Sequence, residues 1–248
     1  MKNIIVSGCS YSQNCGDIPY PHLIDKKTTS SVTNLAWPGQ GNDSIIRIIN
    51  EQIQNGVTDT LFICQLSYLH RLSMFCNANQ KWIDFQPSFI NQKPEMVDGK
   101  VEFNFTTDIK HNIGAIGVYK ATEKRDVGLP NEEYKNLMNW YETYMTLIYD
   151  EEHRFNSLME SIDTLNYKVD KSGNKILYIY WPHEIVNINE LKNRNFFNID
   201  GEYSMLTWST ENEMINTDSH LSDKGHVKLT ELLINEFGLV RQKYTDIL

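Results

Sequence analysis

Closely spaced cysteine pairs are missing from this chain: its four cysteines stand at positions 9, 15, 64 and 76, with no Cys-x-x-C among them. Structural zinc sites draw on such pairs, so the spacing reads as reduced thiols rather than a metal or disulfide framework. No apolar stretch approaches the roughly 20 residues that a membrane-spanning helix needs. The run Ile4-Ile5-Val6 is far too short for a secretory signal. The expectation is a cytoplasmic or virion-associated protein with no signal peptide. Positive charge is scarce too. Lysine and arginine number 23 against 32 aspartates and glutamates, a net charge of −9, which argues against nucleic acid and anionic membranes as partners. Internal repeats and low-complexity tracts are absent.

What is there is an ordinary globular composition. Hydrophobic residues make up 40% and charged residues 22% of the 248, which excludes a wholly disordered chain. That length suits one domain spanning 1–248, carrying at most an insertion at about 72–130.

Residues 3–7 form an apolar run that stops at Gly8, as a buried first strand opening into a turn would. A second strand is expected over 31–36, then the turn Pro38-Gly39-Gln40-Gly41. Asn42 or Asp43 would cap a helix running to about Asn55, with Ile45, Ile48, Ile49 and Ile53 at helical spacing and Gly56 as its stop. A third strand over 60–66 contains the continuous run Leu61-Phe62-Ile63-Cys64, which suits burial on both faces. From about 72 to 130 the pattern loosens. There Trp82-Ile83-Asp84-Phe85 and Val101-Glu102-Phe103-Asn104-Phe105 alternate like two exposed-face strands around Asp98-Gly99, an inserted hairpin or lid.

A long helix, or a broken pair of helices, is expected near 131–166 on the period of Leu137, Met145, Ile148, Phe155, Leu158, Ile162 and Leu165. Residues 175–181 read as a further core strand, 183–215 mostly as loop, and the residues from Gly225 as a terminal amphipathic helix. The order strand, loop, strand, helix, strand, long helix, strand, helix predicts an α/β fold: a three-layer α/β/α sandwich around a mainly parallel sheet.

Two segments at opposite ends of the chain carry the chemistry, Gly8-Cys9-Ser10-Tyr11-Ser12 and Asp218-Ser219-His220-Leu221-Ser222-Asp223-Lys224-Gly225-His226. A hydroxyl is a weak nucleophile until a base takes its proton, and an imidazole base works best when a carboxylate fixes its tautomer. Ser10, His220 and Asp218 supply those three groups, provided the fold brings both ends to one sheet edge. Ser10 would lie just past the carboxyl end of a strand, where ligands collect in parallel α/β sheets.

These segments resemble the first and last sequence blocks of the SGNH/GDSL hydrolases. Cys9 stands where that family usually has aspartate, and His226 aligns with a second histidine at the start of the last helix. The commonest family spacing, Asp-x-x-His, would put Thr217 at the acid; here the acid is one step closer, as Asp218. The segment Asn34-Leu35-Ala36-Trp37-Pro38-Gly39-Gln40-Gly41-Asn42 resembles the second block, whose glycine, here Gly39, donates a backbone N–H to the oxyanion hole alongside that of Ser10. The resemblance implies a flavodoxin-like SGNH hydrolase fold.

At the third block, where the family carries Gly-x-Asn-Asp, this chain has Ser67-Tyr68-Leu69-His70-Arg71. Leu69 takes the place of the oxyanion-hole asparagine, and losing one such donor costs about 2.7–4 kcal/mol. Ser67, His70 or Arg71 would have to substitute, or turnover would be slow. Phage-encoded members of the superfamily that begin Gly-Cys-Ser are similar in carrying Gln-x-Ser followed by Arg. In that setting Arg71 either binds an anionic substrate group or locks the loop to a carboxylate.

Other readings weigh less. Gly39-Gln40-Gly41 half-matches a dinucleotide fingerprint but lacks the third glycine, so no cofactor is expected. Cys9, beside Ser10, is expected to point into the core. His183 and Glu184 follow a core strand and would line the cleft. Asp218, His220, Asp223 and His226 fit no common zinc spacing, so no metal is expected. The function that follows is cleavage of an acyl ester, with a carbohydrate or small-molecule ester as substrate. The alternative is a catalytically impaired module of the same fold, serving in binding or in a virion, with the missing asparagine marking lost activity. An acyltransferase using the same triad comes third.

Overall fold

The structure is a computed structural model that describes residues 1–13, 18–77, 81–85, 95–97, 100–102, 116–117, 132, 136–137, 139–140, 143–182, 188–199, 201–216 and 220–240. In chain order, β1 (Asn3–Ser7) leads to α1 (Tyr20–Lys27), β2 (Ser31–Asn34), α2 (Asn42–Gln54) and β3 (Thr60–Leu66). Short strands follow: β4 (Leu72–Cys76), β5 (Lys81–Phe85), β6 (Glu95–Val97), β7 (Lys100–Glu102) and β8 (Ile116–Gly117). The chain then returns through a π-helical turn at Tyr144–Ile148, α3 (Glu151–Lys171), β9 (Lys175–Tyr180), α4 (Ile188–Lys192), α5 (Met205–Glu211) and α6 (Asp223–Glu236).

The central sheet has the order β2-β1-β3-β9 and every pairing in it is parallel. Side chains alternate across a strand, and the two faces sort cleanly. Ile4, Val6, Leu61, Ile63, Leu177 and Ile179 join one core with Tyr20 and Ile24 of α1, Leu206 and Trp208 of α5, and Leu229 and Leu233 of α6. Ile5, Phe62, Cys64, Ile176, Tyr178 and Tyr180 join the other, with Ile45 and Ile49 of α2 and Phe155, Ile162 and Leu165 of α3. The result is the three-layer α/β/α arrangement around a parallel sheet. Strand β3 lies in its middle and is buried at every position. No helix among the described residues is long and apolar enough to cross a membrane.

From β1 the chain runs first to β2 on one side, then crosses to β3 on the other. Strand direction therefore diverges between β1 and β3, and the crevice outside their carboxyl ends is where such sheets bind ligands. Ser10 follows β1 and residues 67–71 follow β3, so both segments border that crevice.

The structure departs from expectation in several places. Residues 20–27 form a helix where a loop was expected: Pro21 looks like a breaker in sequence, yet the first helical turn has no intrahelical donor to lose and tolerates proline. Strand β2 ends at Asn34 rather than at 36. The cap of α2 is Gly41, not Asn42 or Asp43; Asn42 is the first helical residue, and its side chain is used elsewhere. The long helical pattern breaks at Tyr149, which is extended, and α3 begins afresh with the Asp150 carboxylate accepting from the His153 N–H at 2.6 Å.

The stretch expected to be mostly loop over 183–215 holds α4 and α5, the latter capped by Ser204 and burying Met205, Leu206 and Trp208. In the insertion, β5 pairs not with a strand over 101–105 but antiparallel with β4 and β8, while β6 and β7 pair with each other. Asp98, Gly99 and residues 103–105 lie outside the described residues.

The start of α6 packs hard against the segment before it. A Cβ at Gly225 would lie 2.5 Å from the Met214 carbonyl oxygen and 2.8 Å from Leu221 Cδ2, and backbone cannot yield cheaply. Gly225→Ala is expected to cost about 1–3 kcal/mol through overpacking, read as a lower urea midpoint at unchanged m-value.

Candidate active site

The turn that carries Ser10 grows directly out of β1. After Ser7 the chain turns at Gly8, where a Cβ would meet Gln65 Oε1 at 2.8 Å and Ser12 Oγ at 2.9 Å, so only glycine lets the turn close. Ser12 N–H then donates to the Cys9 carbonyl at 3.0 Å and Gln13 N–H to the Ser10 carbonyl at 3.3 Å. Cys9 is fully buried in the core, as expected. Ser10, one residue on, is only half-buried, so its hydroxyl is open to a ligand.

Gln65, at the end of β3, holds this turn. Its Oε1 accepts from the Cys9 N–H at 3.0 Å, from Cys9 Sγ at 3.3 Å and from Ser12 Oγ at 3.3 Å, while its Nε2 donates to the Leu66 carbonyl. Ser12 Oγ also shares a 2.8 Å hydrogen bond with Tyr20 Oη, which ties the turn to α1. Burial pushes the Tyr20 phenol well above its ordinary value, against the opposing pull of Ser12, so it stays neutral.

His220 comes from the far end of the chain. The main chain around it is fixed by an isolated bridge between Ile215 and Leu221, by Asn216 N–H donating to the His220 carbonyl at 2.7 Å, and by Ser222 N–H donating to the Met214 carbonyl at 2.9 Å. Its Nε2 lies 2.9 Å from Ser10 Oγ, across 210 residues of sequence. The imidazole also packs against Tyr11, with ring centroids 4.7 Å apart, and Tyr11 stacks on Trp181 at 3.6 Å and 16°. Burial raises the Tyr11 phenol far above its usual value, with Tyr68 adding to the rise, so this platform is uncharged. Asp218, His183 and Glu184 lie outside the described residues.

The segment resembling the second block runs beside β1 and its extension. Leu35 N–H donates to the Val6 carbonyl at 2.7 Å and Trp37 N–H to the Gly8 carbonyl at 2.9 Å. Gly39, two residues further, has φ +85°, a conformation that favours glycine. The loop is anchored on its other side by Asp84 of β5, whose Oδ1 accepts from the Gly41 N–H at 3.4 Å and from Ser73 Oγ. Burial raises the Asp84 carboxyl, and those two hydrogen bonds oppose the rise.

The 67–71 loop is locked from α2. Asn42 Oδ1 accepts from the Ser67 N–H at 2.7 Å and Asn42 Nδ2 donates to the Ser67 carbonyl at 3.0 Å. Leu69 turns into the core between the sheet, α2 and α3. Burial, with Arg71 adding to it, pulls His70 down to about 3, so it is a neutral ring, stacked on Tyr68 at 5.2 Å. The Arg71 guanidinium sits over the Tyr68 ring, 5.3 Å from its centroid.

Of the residues singled out in the sequence, Ser10 and His220 are brought together, and Gly39, Ser67, His70 and Arg71 lie on the loops beside them. His226 is not at the site: it is buried and accepts from the Tyr20 N–H at 3.3 Å, linking α6 to α1. Sequence reasoning missed Gln65, Asn42, Tyr11, Trp181 and Asp84 as site-building residues. Gln65 had a visible signal, a lone amide inside an otherwise apolar strand, and such a buried amide must be hydrogen-bonded. Among the described residues no group of three His, Cys, Asp or Glu is placed to hold a metal ion. No family model and no curated protein sequence matches the chain.

Gln65→Leu would leave the Cys9 N–H buried without its acceptor. The expected cost is about 1–3 kcal/mol, measured as loss of unfolding free energy in urea.

Proposed function

We propose that the protein is a serine hydrolase of the SGNH type that cleaves an acyl ester, with an acetylated or acylated carbohydrate or small molecule as its substrate. The observation that carries this reading is the 2.9 Å separation of His220 Nε2 and Ser10 Oγ, which is hydrogen-bond range for a base and its nucleophile. Ser10 Oγ attacks the acyl carbonyl while His220 Nε2 takes its proton. The tetrahedral intermediate collapses as the imidazolium returns that proton to the departing alcohol, leaving an acyl-serine. Water, deprotonated by His220, then releases the carboxylic acid and restores the Ser10 hydroxyl. Asp218 is assigned the role of orienting His220.

Backbone N–H groups of Ser10 and Gly39 are assigned to the oxyanion. The third donor that the family draws from an asparagine has no counterpart in Leu69, whose side chain is in the core. A penalty of about 10²–10³ in kcat relative to a three-donor site is expected from that loss. The same loss favours the second reading, a catalytically impaired binding module. A cytoplasmic or virion-associated setting belongs to this proposal as well.

A fluorophosphonate probe separates the two. The hydrolase predicts covalent labelling of the wild type, none of Ser10→Ala, and labelling slowed by roughly 10²–10⁴-fold in His220→Ala, the worth of a positioned general base. Absence of labelling together with no turnover of short-chain nitrophenyl esters overturns it in favour of the binding module. Product partitioning toward an added alcohol would instead identify an acyltransferase.

A further inference from the structure

Arg71 is 4% exposed. A guanidinium carries five N–H donors in a rigid fork and cannot shed its charge. Here Nε and Nη1, which hold three of those five, are buried without a hydrogen-bond acceptor among the described residues. The Tyr68 ring lies under the guanidinium at 5.3 Å and offers its π face, which attracts the cation but accepts none of the in-plane N–H groups.

The described residues supply no acid to neutralise the charge. Among the described residues no ion pair includes Arg71. Asp84, the closest acid in sequence within the inserted strands, spends its Oδ1 on Gly41 N–H and Ser73 Oγ. Buried charges are ordinarily paired, and a buried cation left alone is strongly disfavoured.

The position of this cation gives it a use. The loop that carries Arg71 leaves the carboxyl end of β3, beside the turn that carries Ser10 after β1, and the two strands are hydrogen-bonded neighbours. Tyr11, the residue after Ser10, shares a hydrogen bond with Tyr68 and feels the Arg71 charge. The Arg71 carbonyl packs against Gly41, where an added Cβ would lie 2.9 Å from it, so the arginine backbone is fixed against the loop that contains Gly39. A ligand seated between Ser10 and these loops is therefore within the field of a positive charge that no described acid pairs, in a chain whose net charge is −9.

We propose that Arg71 is the anion-recognition residue of this site, and that its ligand is an ester bearing a second, anionic oxyacid group, a carboxylate or a phosphate, which completes the hydrogen bonding of the guanidinium. Such a group supplies coplanar acceptor oxygens that match the arginine fork, and charge-assisted bonds of this kind are about twice as strong as neutral ones. The inference deepens the hydrolase reading and rests on it for the word ester. The anion site itself is tested without turnover.

Two isosteric probes differ only in that charge: monomethyl succinate, and methyl levulinate, in which a methyl ketone replaces the carboxylate. Titration calorimetry on Ser10→Ala, which cannot turn either over, is expected to give monomethyl succinate an affinity about tenfold or more above methyl levulinate, the effect of roughly one charge-assisted interaction. In Ser10→Ala/Arg71→Met the ratio is expected to fall to about one.

Arg71→Lys in the same background keeps the charge without the fork. It is expected to retain a reduced preference, and it serves as the decisive variant if the methionine form does not fold. Inorganic phosphate competing with monomethyl succinate would assign the site to oxyacids in general, and failure to compete would assign it to carboxylates. Equal affinity for the two probes, no binding of either, or a preference that survives Arg71→Met overturns the proposal. Anion binding without fluorophosphonate labelling would sink the hydrolase reading and leave the anion site standing.

Discussion

A single buried amide links the two strand ends on which the site is built. Gln65 sits where β3 reaches the crevice, and its carbonyl oxygen serves the Cys9 N–H, Cys9 Sγ and Ser12 Oγ together. In a low-dielectric surrounding each of these bonds is stronger than in water, and each is costly to leave unmade. The turn that carries Ser10 is therefore locked to β3 as well as to the strand it grows from. Gly8 belongs to the same constraint, since any side chain there would occupy the space of the Gln65 amide. A side chain whose backbone is fixed from two strands loses little freedom when a ligand arrives, and in the proposed hydrolase that is the condition under which orientation contributes to rate.

His220 is held by different physics. The His220 ring packs on Tyr11, itself stacked on Trp181 just past β9. Three strands of the sheet thus converge on one pair of atoms: β1 through the Ser10 turn, β3 through Gln65, and β9 through Trp181. The α1–α6 packing that brings the chain ends together is reinforced by Tyr20, which bonds Ser12 through its hydroxyl and His226 through its backbone N–H. His226 looks like a site residue in sequence because it lies close to His220. In the fold it acts through the helix pair.

The strands β1, β3 and β9 were legible in the sequence because each is a continuous apolar run buried on both faces, a pattern that survives without knowledge of neighbours. The meeting of Ser10 and His220 was legible for a chemical reason, since a strand-end serine and a distant histidine make a nucleophile–base pair only in a fold that joins the two chain ends. What stayed hidden depends on tertiary context. Helix α1 opens with Pro19-Tyr20-Pro21 and has a single turn's worth of buried side chains, so local pattern favours a loop, and contact with α6 decides otherwise. Asn42 looks like a helix cap, yet its two amide atoms match the N–H and carbonyl of Ser67 across 25 residues, and Gly41 is left to begin the helix.

Asp84 shows how the insertion bears on the site. It lies on β5, outside the central sheet, yet its carboxylate accepts from the Gly41 N–H at the first turn of α2, where the helix macrodipole favours negative charge. The same oxygen takes the Ser73 hydroxyl of β4, so one group couples β4 and β5 to the loop that carries Gly39. A loop of this kind, with Gly39 at φ +85° within it, would sample many conformations if held only by its chain ends. It is instead anchored through Gly8 on one side and Asp84 on the other, and under the proposed hydrolase reading that rigidity would hold its N–H groups in place before any charge develops. The inserted strands are therefore part of the site's rigidity, and the geometry around Ser10 and Arg71 depends on their docking as much as on the sheet beneath.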